Sequence, residues 1–133
     1  MHAVATDQFG HVPLLTHGRY CSFFQRFGLA GLHADDQDVV ALARIYWFTV
    51  EFGLVREGGE RKAFGAGLMS SYDEMLHAFA QQTPVYPLDL EEIAARPFIT
   101  TDLQPCYYEA ESFASLADAF DAWAIGRGLL NAT

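Results

Sequence analysis

Two residues of this chain have the type and setting that metal or acid–base chemistry needs. Glu51 lies inside the apolar run Ile45-Tyr46-Trp47-Phe48-Thr49-Val50-Glu51-Phe52. A carboxylate desolvated there must pair, bind a cation or stay protonated, because an uncompensated buried charge is expensive. The same residue is equally compatible with a narrow exposed stripe on an otherwise apolar helix. His11 stands in Gly10-His11-Val12-Pro13, where Pro13 disfavours helical backbone at Val12 and ends any short helix near His11. A neutral imidazole at that junction can ligate Fe, Zn or Cu and pair with a carboxylate from another segment, or simply hydrogen-bond the backbone of its own loop. His2, His17, His33 and His77 stand near termini, glycines or polar residues and receive no role. HExxH, Walker, GxSxG and catalytic-cysteine contexts are all missing, and Gly65-Ala66-Gly67 is too short for a phosphate loop.

Several elements must position these two residues. Tyr20, Phe23, Phe24 and Phe27 recur at i, i+3, i+4, i+7 and predict an amphipathic helix from about residue 18 to 29, ended by Gly28 and Gly31. Asp35 or Asp36 can cap a second helix, whose apolar positions from Val39 to Leu54 predict a mostly buried element carrying Glu51. Arg56 to Arg61 reads as a polar turn, with Gly58-Gly59 suited to a small hairpin. Gly65-Ala66-Gly67 reads as a flexible loop, and a serine of Ser70-Ser71 as the cap of a helix through Glu74, Leu76 and Phe79. Pro84 and Pro87 frame an extended stretch, Leu88-Asp89 opens a short acidic helix through Ala95, and Cys106-Tyr107-Tyr108 is β-prone. Helical spacing returns from Ser112 to Ala124. The expected fold is mainly α with a few short β-strands.

The 133 residues suffice for one domain, expected to span residues 1–133. Eight basic residues against 17 acidic ones give a formal charge of −9, which repels phosphate backbones and anionic lipids. Nucleic acid and membrane surfaces are therefore poor partners. The longest apolar stretch is too short for a bilayer, and residues 1–10 carry no targeting pattern. Cys21 and Cys106 make no disulfide framework and read as reduced thiols, which points to a cytoplasmic protein.

Phe9-Gly10-His11-Val12-Pro13-Leu14-Leu15, Ile45 to Leu54, Phe64-Gly65-Ala66-Gly67-Leu68-Met69-Ser70-Ser71, Leu103-Gln104-Pro105-Cys106-Tyr107-Tyr108 and Ala110-Glu111-Ser112-Phe113 follow one another in an order and spacing that resembles the pterin-dependent aromatic amino acid hydroxylases, over about residues 7 to 125. Within that family the resemblance extends to phenylalanine 4-hydroxylase, especially its short bacterial form. The resemblance implies a catalytic-domain-like fold truncated at its N-terminus, monooxygenase activity on an aromatic amino acid (phenylalanine first) with O2, and Fe(II) and tetrahydropterin as cofactors. It implies His11 and Glu51 as metal ligands, Asp7 on the pterin side, and Trp47, Phe52, Gly67, Ser70 and Ser71 around the substrate. It also places Tyr46 near the iron and Glu74 behind the ligands.

Two departures shape the expectation. The family pattern His-Asp/Glu-x-x-Gly-His reads Thr6-Asp7-Gln8-Phe9-Gly10-His11 here, so Thr6 stands where a first histidine ligand belongs. A threonine hydroxyl is a weak neutral ligand and does not replace an imidazole on Fe(II). The chain also starts almost on this motif, so it corresponds to the C-terminal half of a catalytic domain. Three readings follow: an aromatic amino acid monooxygenase; an inactive remnant or interaction module that has lost the iron; and a metal protein in which Asp7 joins His11 and Glu51. The expected partners beyond substrate are a second copy of the chain or a complementing N-terminal half. His11 and Glu51 are expected to share one cavity, with exposed aromatic surface beside them or a dimer covering it.

Overall fold

The computed structural model describes the backbone of residues 17–131 and the side chains of residues 22–131. Thr6, Asp7 and His11 lie outside the described residues, as does the short helix expected to end at His11. The described residues begin with helix α1 (His17–Leu32). Phe23 and Phe27 of α1 meet Phe120 at ring separations of 5.5 and 5.1 Å. The helix runs straight through Gly28 and Gly31, so those glycines do not end it as expected. Packing at Phe23, Phe27 and the fully buried Ala30 outweighs the roughly 1 kcal/mol that each helical glycine costs.

Asp35 caps α2 (Asp36–Tyr46), its carboxylate accepting from the Asp38 amide at 2.8 Å. The expected single helix to Leu54 instead changes character at Trp47. Residues Trp47–Glu51 form a π-helical turn in which the Phe52 amide reaches back five residues to the Trp47 carbonyl at 2.9 Å. Leu54 and Val55 then leave for the sheet, where both are buried. The expectation of a mostly buried helix also fails on one side, since Val39 and Val40 are about half exposed.

Gly53 makes this exit sterically possible. A Cβ there would sit 2.3 Å from the Phe64 ring and 2.4 Å from the Thr49 carbonyl oxygen. Without one, the Gly53 carbonyl accepts from the amides of Phe64 and Gly65, at 3.0 and 3.1 Å. Strands β1 (Leu54–Glu57) and β2 (Glu60–Ala63) form the expected hairpin, its turn made by Gly58 and Gly59 at φ of 60° and 80°. Gly65-Ala66-Gly67 is not a free loop as expected: Ala66–Met69 is a helical turn, α3. Ser71 caps α4 (Tyr72–Ala78), accepting from the Glu74 amide at 3.2 Å.

Strand β3 (Val85–Pro87), helix α5 (Leu90–Ala94, capped by Asp89), strand β4 (Tyr107–Ala110) and helix α6 (Phe113–Gly126, with a Ser112/Ser115 capping box) complete the order. The sheet order is β2-β1-β4-β3, with β1 antiparallel to β2 and β4 parallel to both β1 and β3. One apolar core gathers α1, α2, α5, α6 and β4, and a smaller one gathers Leu54, Ala63, Leu68, Met75, Ala78 and Tyr107. The architecture is the mainly helical, short-stranded one expected. Among the described residues no helix is long and apolar enough to cross a membrane. Cys106 is a buried free thiol, and burial pushes its pKa up against the opposing pull of nearby Arg96.

Candidate active site

The junction between α1, α2 and the π turn opens an apolar cavity of about 620 Å3. Phe27, Leu42, Tyr46, Trp47 and Phe98 supply its side-chain surface, and Gly28 and Gly31 of α1 leave one side bare. A Cβ on either glycine would meet nothing within 4 Å. Glu51 is the single carboxylate on this lining among the described residues.

Backbone geometry brings Glu51 to that position. The π turn places Trp47 and Glu51 together on the cavity wall, and Thr49 turns inward, its hydroxyl donating to the Ile45 carbonyl at 2.6 Å. The chain then doubles back through the hairpin and presses α3 against the turn. At Gly65 an added Cβ would lie 2.3–2.5 Å from the backbone of Glu51 and Phe52, so a side chain has no room. At Gly67 it would lie 3.1 Å from the Phe52 ring and 3.3 Å from Glu51 Oε1. Gly67 therefore leaves open the space beside the carboxylate. Among the described residues no hydrogen bond or ion pair holds the half-buried Glu51 side chain.

Of the residues expected around a substrate, Trp47 faces the cavity, while Phe52 and Gly67 pack against the Glu51 side of it. Ser70 and Ser71 do not line it. The Ser70 hydroxyl donates to the Gly67 carbonyl at 3.0 Å, and the Ser71 hydroxyl is the cap of α4. Phe98, which received no role from the sequence, stacks on Trp47 with ring centroids 4.4 Å apart and planes at 14°. Nothing in its local sequence, Arg96-Pro97-Phe98-Ile99, distinguishes it from an ordinary loop aromatic.

Behind this wall lies a buried polar network. Trp47 Nε1 donates to Gln104 Oε1 at 3.0 Å, and Gln104 Nε2 donates to the Ile99 carbonyl at 3.0 Å. The Gln104 amide donates to Glu74 Oε1 at 3.2 Å, and the Tyr107 hydroxyl donates to Glu74 Oε2. His77 Nε2 lies 2.7 Å from the Gln104 carbonyl oxygen, an acceptor, so Nε2 carries the proton. His77 carries no distinguishing signal in the sequence, because only the fold brings Gln104, 27 residues away, against it. Burial, and then the Glu74 carboxylate it bonds, push the Tyr107 pKa far above the ordinary tyrosine value. Burial and the hydrogen bond to Glu92 likewise raise Tyr108, partly offset by Arg96, which donates to its hydroxyl at 2.8 Å.

The described residues hold no group of three His, Cys, Asp or Glu that could bind a metal on its own. Glu51 can furnish one anionic oxygen at the edge of an aromatic cavity. What the rest of the arrangement can do is receive a flat apolar ring between Phe27, Tyr46 and the Trp47–Phe98 stack.

Residues 3–127 match the family described as biopterin-dependent aromatic amino acid hydroxylase. A phenylalanine-4-hydroxylase of Mus musculus is 46 % identical over 110 residues, covering 83 % of this chain and 24 % of that protein. A tyrosine 3-monooxygenase of Drosophila melanogaster is 45 % identical over 114 residues, covering 86 % and 20 %. Among solved structures, a Chromobacterium violaceum phenylalanine hydroxylase with bound iron(III) and 7,8-dihydrobiopterin superposes with a TM-score of 0.76 at 32 % identity, over 90 % of this chain and 44 % of that one. The same bacterial protein with iron and phenylalanine bound gives 0.74 at 31 % identity. The chain thus spans less than half of the bacterial enzyme and about a quarter or less of the curated animal relatives. On the length and continuity of the match, this chain belongs to the biopterin-dependent aromatic amino acid hydroxylase family.

Proposed function

We propose that the cavity is the iron and substrate side of an aromatic amino acid monooxygenase, with phenylalanine as the first substrate to test. The observation that carries this reading is the Glu51 carboxylate, unpartnered among the described residues, at the edge of a cavity lined by Phe27, Tyr46, Trp47 and Phe98. In this reading Glu51 and His11 hold Fe(II) and Asp7 lies towards a tetrahydropterin, while Ser70 and Ser71 stand off the cavity in the turn that follows Gly67. The donor chemistry of Glu51 suits one position on a hard divalent ion. The remaining ligands come from residues beyond 17–131 or from another chain. Iron and pterin, when bound, supply the activation of O2 that delivers a hydroxyl group to an aromatic ring.

The chain's own residues bind and orient. The Trp47–Phe98 stack and Phe27 offer apolar faces to the ring and exclude water from it. Gly67 leaves the approach to Glu51 Oε1 open, and Gly28 and Gly31 leave room for the ring. These roles need no proton transfer by the cavity lining, which is apolar apart from Glu51 and the Tyr46 hydroxyl.

Iron stoichiometry and affinity of the full chain after anaerobic Fe(II) loading test the reading. One Fe(II) per chain, lost in Glu51→Gln and in His11→Ala, is expected. Thr6→His should tighten binding, and turnover of phenylalanine to tyrosine with tetrahydropterin and O2 should rise with it. Absence of iron binding in both the natural chain and Thr6→His would instead favour an iron-free remnant or interaction module, the reading that Thr6 itself supports.

A further inference from the structure

Gln104 is 2 % exposed, and its side chain ties Trp47, 57 residues away, to Ile99 of its own loop. Its side-chain amide has one orientation that satisfies both neighbours, because Trp47 Nε1 can only donate and the Ile99 carbonyl can only accept. Oε1 therefore faces the indole and Nε2 faces the loop. The two residues so tied are Trp47 itself and the immediate neighbour of Phe98, the two rings stacked 4.4 Å apart on the cavity wall. The backbone of Gln104 is held in turn, its amide by Glu74 and its carbonyl by His77. Each polar atom of Gln104 thus has a partner, and turning the side chain over would break both side-chain bonds at once.

We propose that Gln104 is the positioning residue of the aromatic wall: a single buried amide sets the angle of Trp47 and the height of Phe98 together, and so the width of the slot that takes the substrate ring. The inference rests on reading the cavity as the substrate site. Glu74 and His77 act one step further back, by fixing the Gln104 backbone. Gln104 touches no ligand itself, and its effect travels through Trp47 and the Phe98 loop.

The chain has only two tryptophans, so indole N–H resonances of the 15N-labelled full chain test this directly. Trp47 is assigned by Trp47→Phe. Trp123 is the internal reference, its Nε1 having no hydrogen-bond partner among the described residues. In the natural chain the Trp47 indole proton should exchange with solvent at least about tenfold more slowly than that of free tryptophan, as a bonded donor does. Gln104→Leu should move the Trp47 resonance, leave Trp123 in place, and weaken binding of toluene, a bare aromatic probe, about five- to tenfold. In a Trp47→Phe background the same substitution should weaken toluene binding by a smaller factor than in the natural chain, the remainder being the part that travels through the Phe98 loop. An unmoved Trp47 resonance with unchanged toluene binding overturns the proposal, as does an undiminished effect of Gln104→Leu in the Trp47→Phe background. Should Gln104→Leu not fold, unprotected exchange of the Trp47 indole in the natural chain overturns it by itself. A parallel titration with L-phenylalanine separates the two readings. Toluene binding without phenylalanine or iron binding counts against the proposed function, while the Trp47 resonance still decides the role of Gln104.

Discussion

At the residue scale, glycine placement tells apart positions that sequence alone makes look alike. Gly65 and Gly67 flank Ala66 in one short motif, yet they face different obstacles. A methyl group at Gly65 would lie 2.3–2.5 Å from the backbone of Glu51 and Phe52, which cannot swing aside, whereas at Gly67 its nearest contacts, the tip of the Phe52 ring, the Glu51 carbonyl oxygen and Glu51 Oε1, are 3.1–3.3 Å away. Gly65→Ala is therefore expected to destabilise the chain by about 4 kcal/mol or more, the range of strain that the surroundings cannot absorb. Gly67→Ala should cost about 1 kcal/mol and act mainly on whatever binds Glu51 Oε1. Denaturant unfolding of both variants checks the ranking, and an equal loss for the two would contradict the described packing. Glu51→Gln keeps the shape and removes the charge. With no described ion pair to break, it should shift stability by no more than about 0.5 kcal/mol while lowering Fe(II) affinity.

At the scale of elements, α1 shows a helix kept open on one side. Gly28 and Gly31 lie within regular helix at ordinary backbone angles, without φ in the left-handed region. Alanine at either site meets open space, so Gly28→Ala should stabilise the chain by roughly 0.5–1 kcal/mol through helix propensity. A larger residue has the same backbone advantage but occupies the cavity. Gly31→Leu is thus expected to raise the melting temperature or leave it unchanged, and to abolish toluene binding; retained binding would show that the glycine face is not the cavity wall. The π turn after α2 makes the complementary contribution. It lets one continuous segment end a helix, present Trp47 and Glu51, and release Leu54 into the sheet, which an uninterrupted α-helix to Leu54 could not do.

For the whole molecule, the sheet and its buried tyrosines set the response to pH. Tyr107 and Tyr108 on β4 are buried and hydrogen-bonded to Glu74 and Glu92, and both hold their protons well above the ordinary value of 10. In the unfolded chain both release protons near pH 10, while the native state keeps them. The native state then binds more protons than the unfolded one, so stability falls as pH rises through and beyond 10. The limiting slope is about 1.4 kcal/mol per pH unit for each tyrosine. Thermal melts from pH 9 to 12 should show this decline, and Tyr108→Phe should remove about half of the slope. Beside the cavity Val39 and Tyr46 are exposed, Tyr46 being the one aromatic of the expected exposed surface seen there, and the part of that expectation that concerns His11 lies outside the described residues.

Local chemistry determined much of this protein before any folding was considered. Capping by Asp35, Ser71, Asp89 and Ser112, the Gly58-Gly59 hairpin and the strand at Tyr107-Tyr108 all follow from backbone hydrogen bonding within a few residues, and short-range rules describe that well. The family, too, was legible in ordered motifs along nearly the whole chain. Tertiary structure alone decided where the second helix stops, because Gly53 yields to the Phe64 ring from eleven residues on and the sheet captures Leu54. It alone decided that α1 continues through two glycines, since the packing of Phe23 and Phe27 on Phe120 comes from the far end of the sequence. It also decided that His77 and Gln104, inconspicuous in sequence, stand behind Trp47. Burial and partnership depend on contacts between distant segments, and no spacing within one segment encodes them.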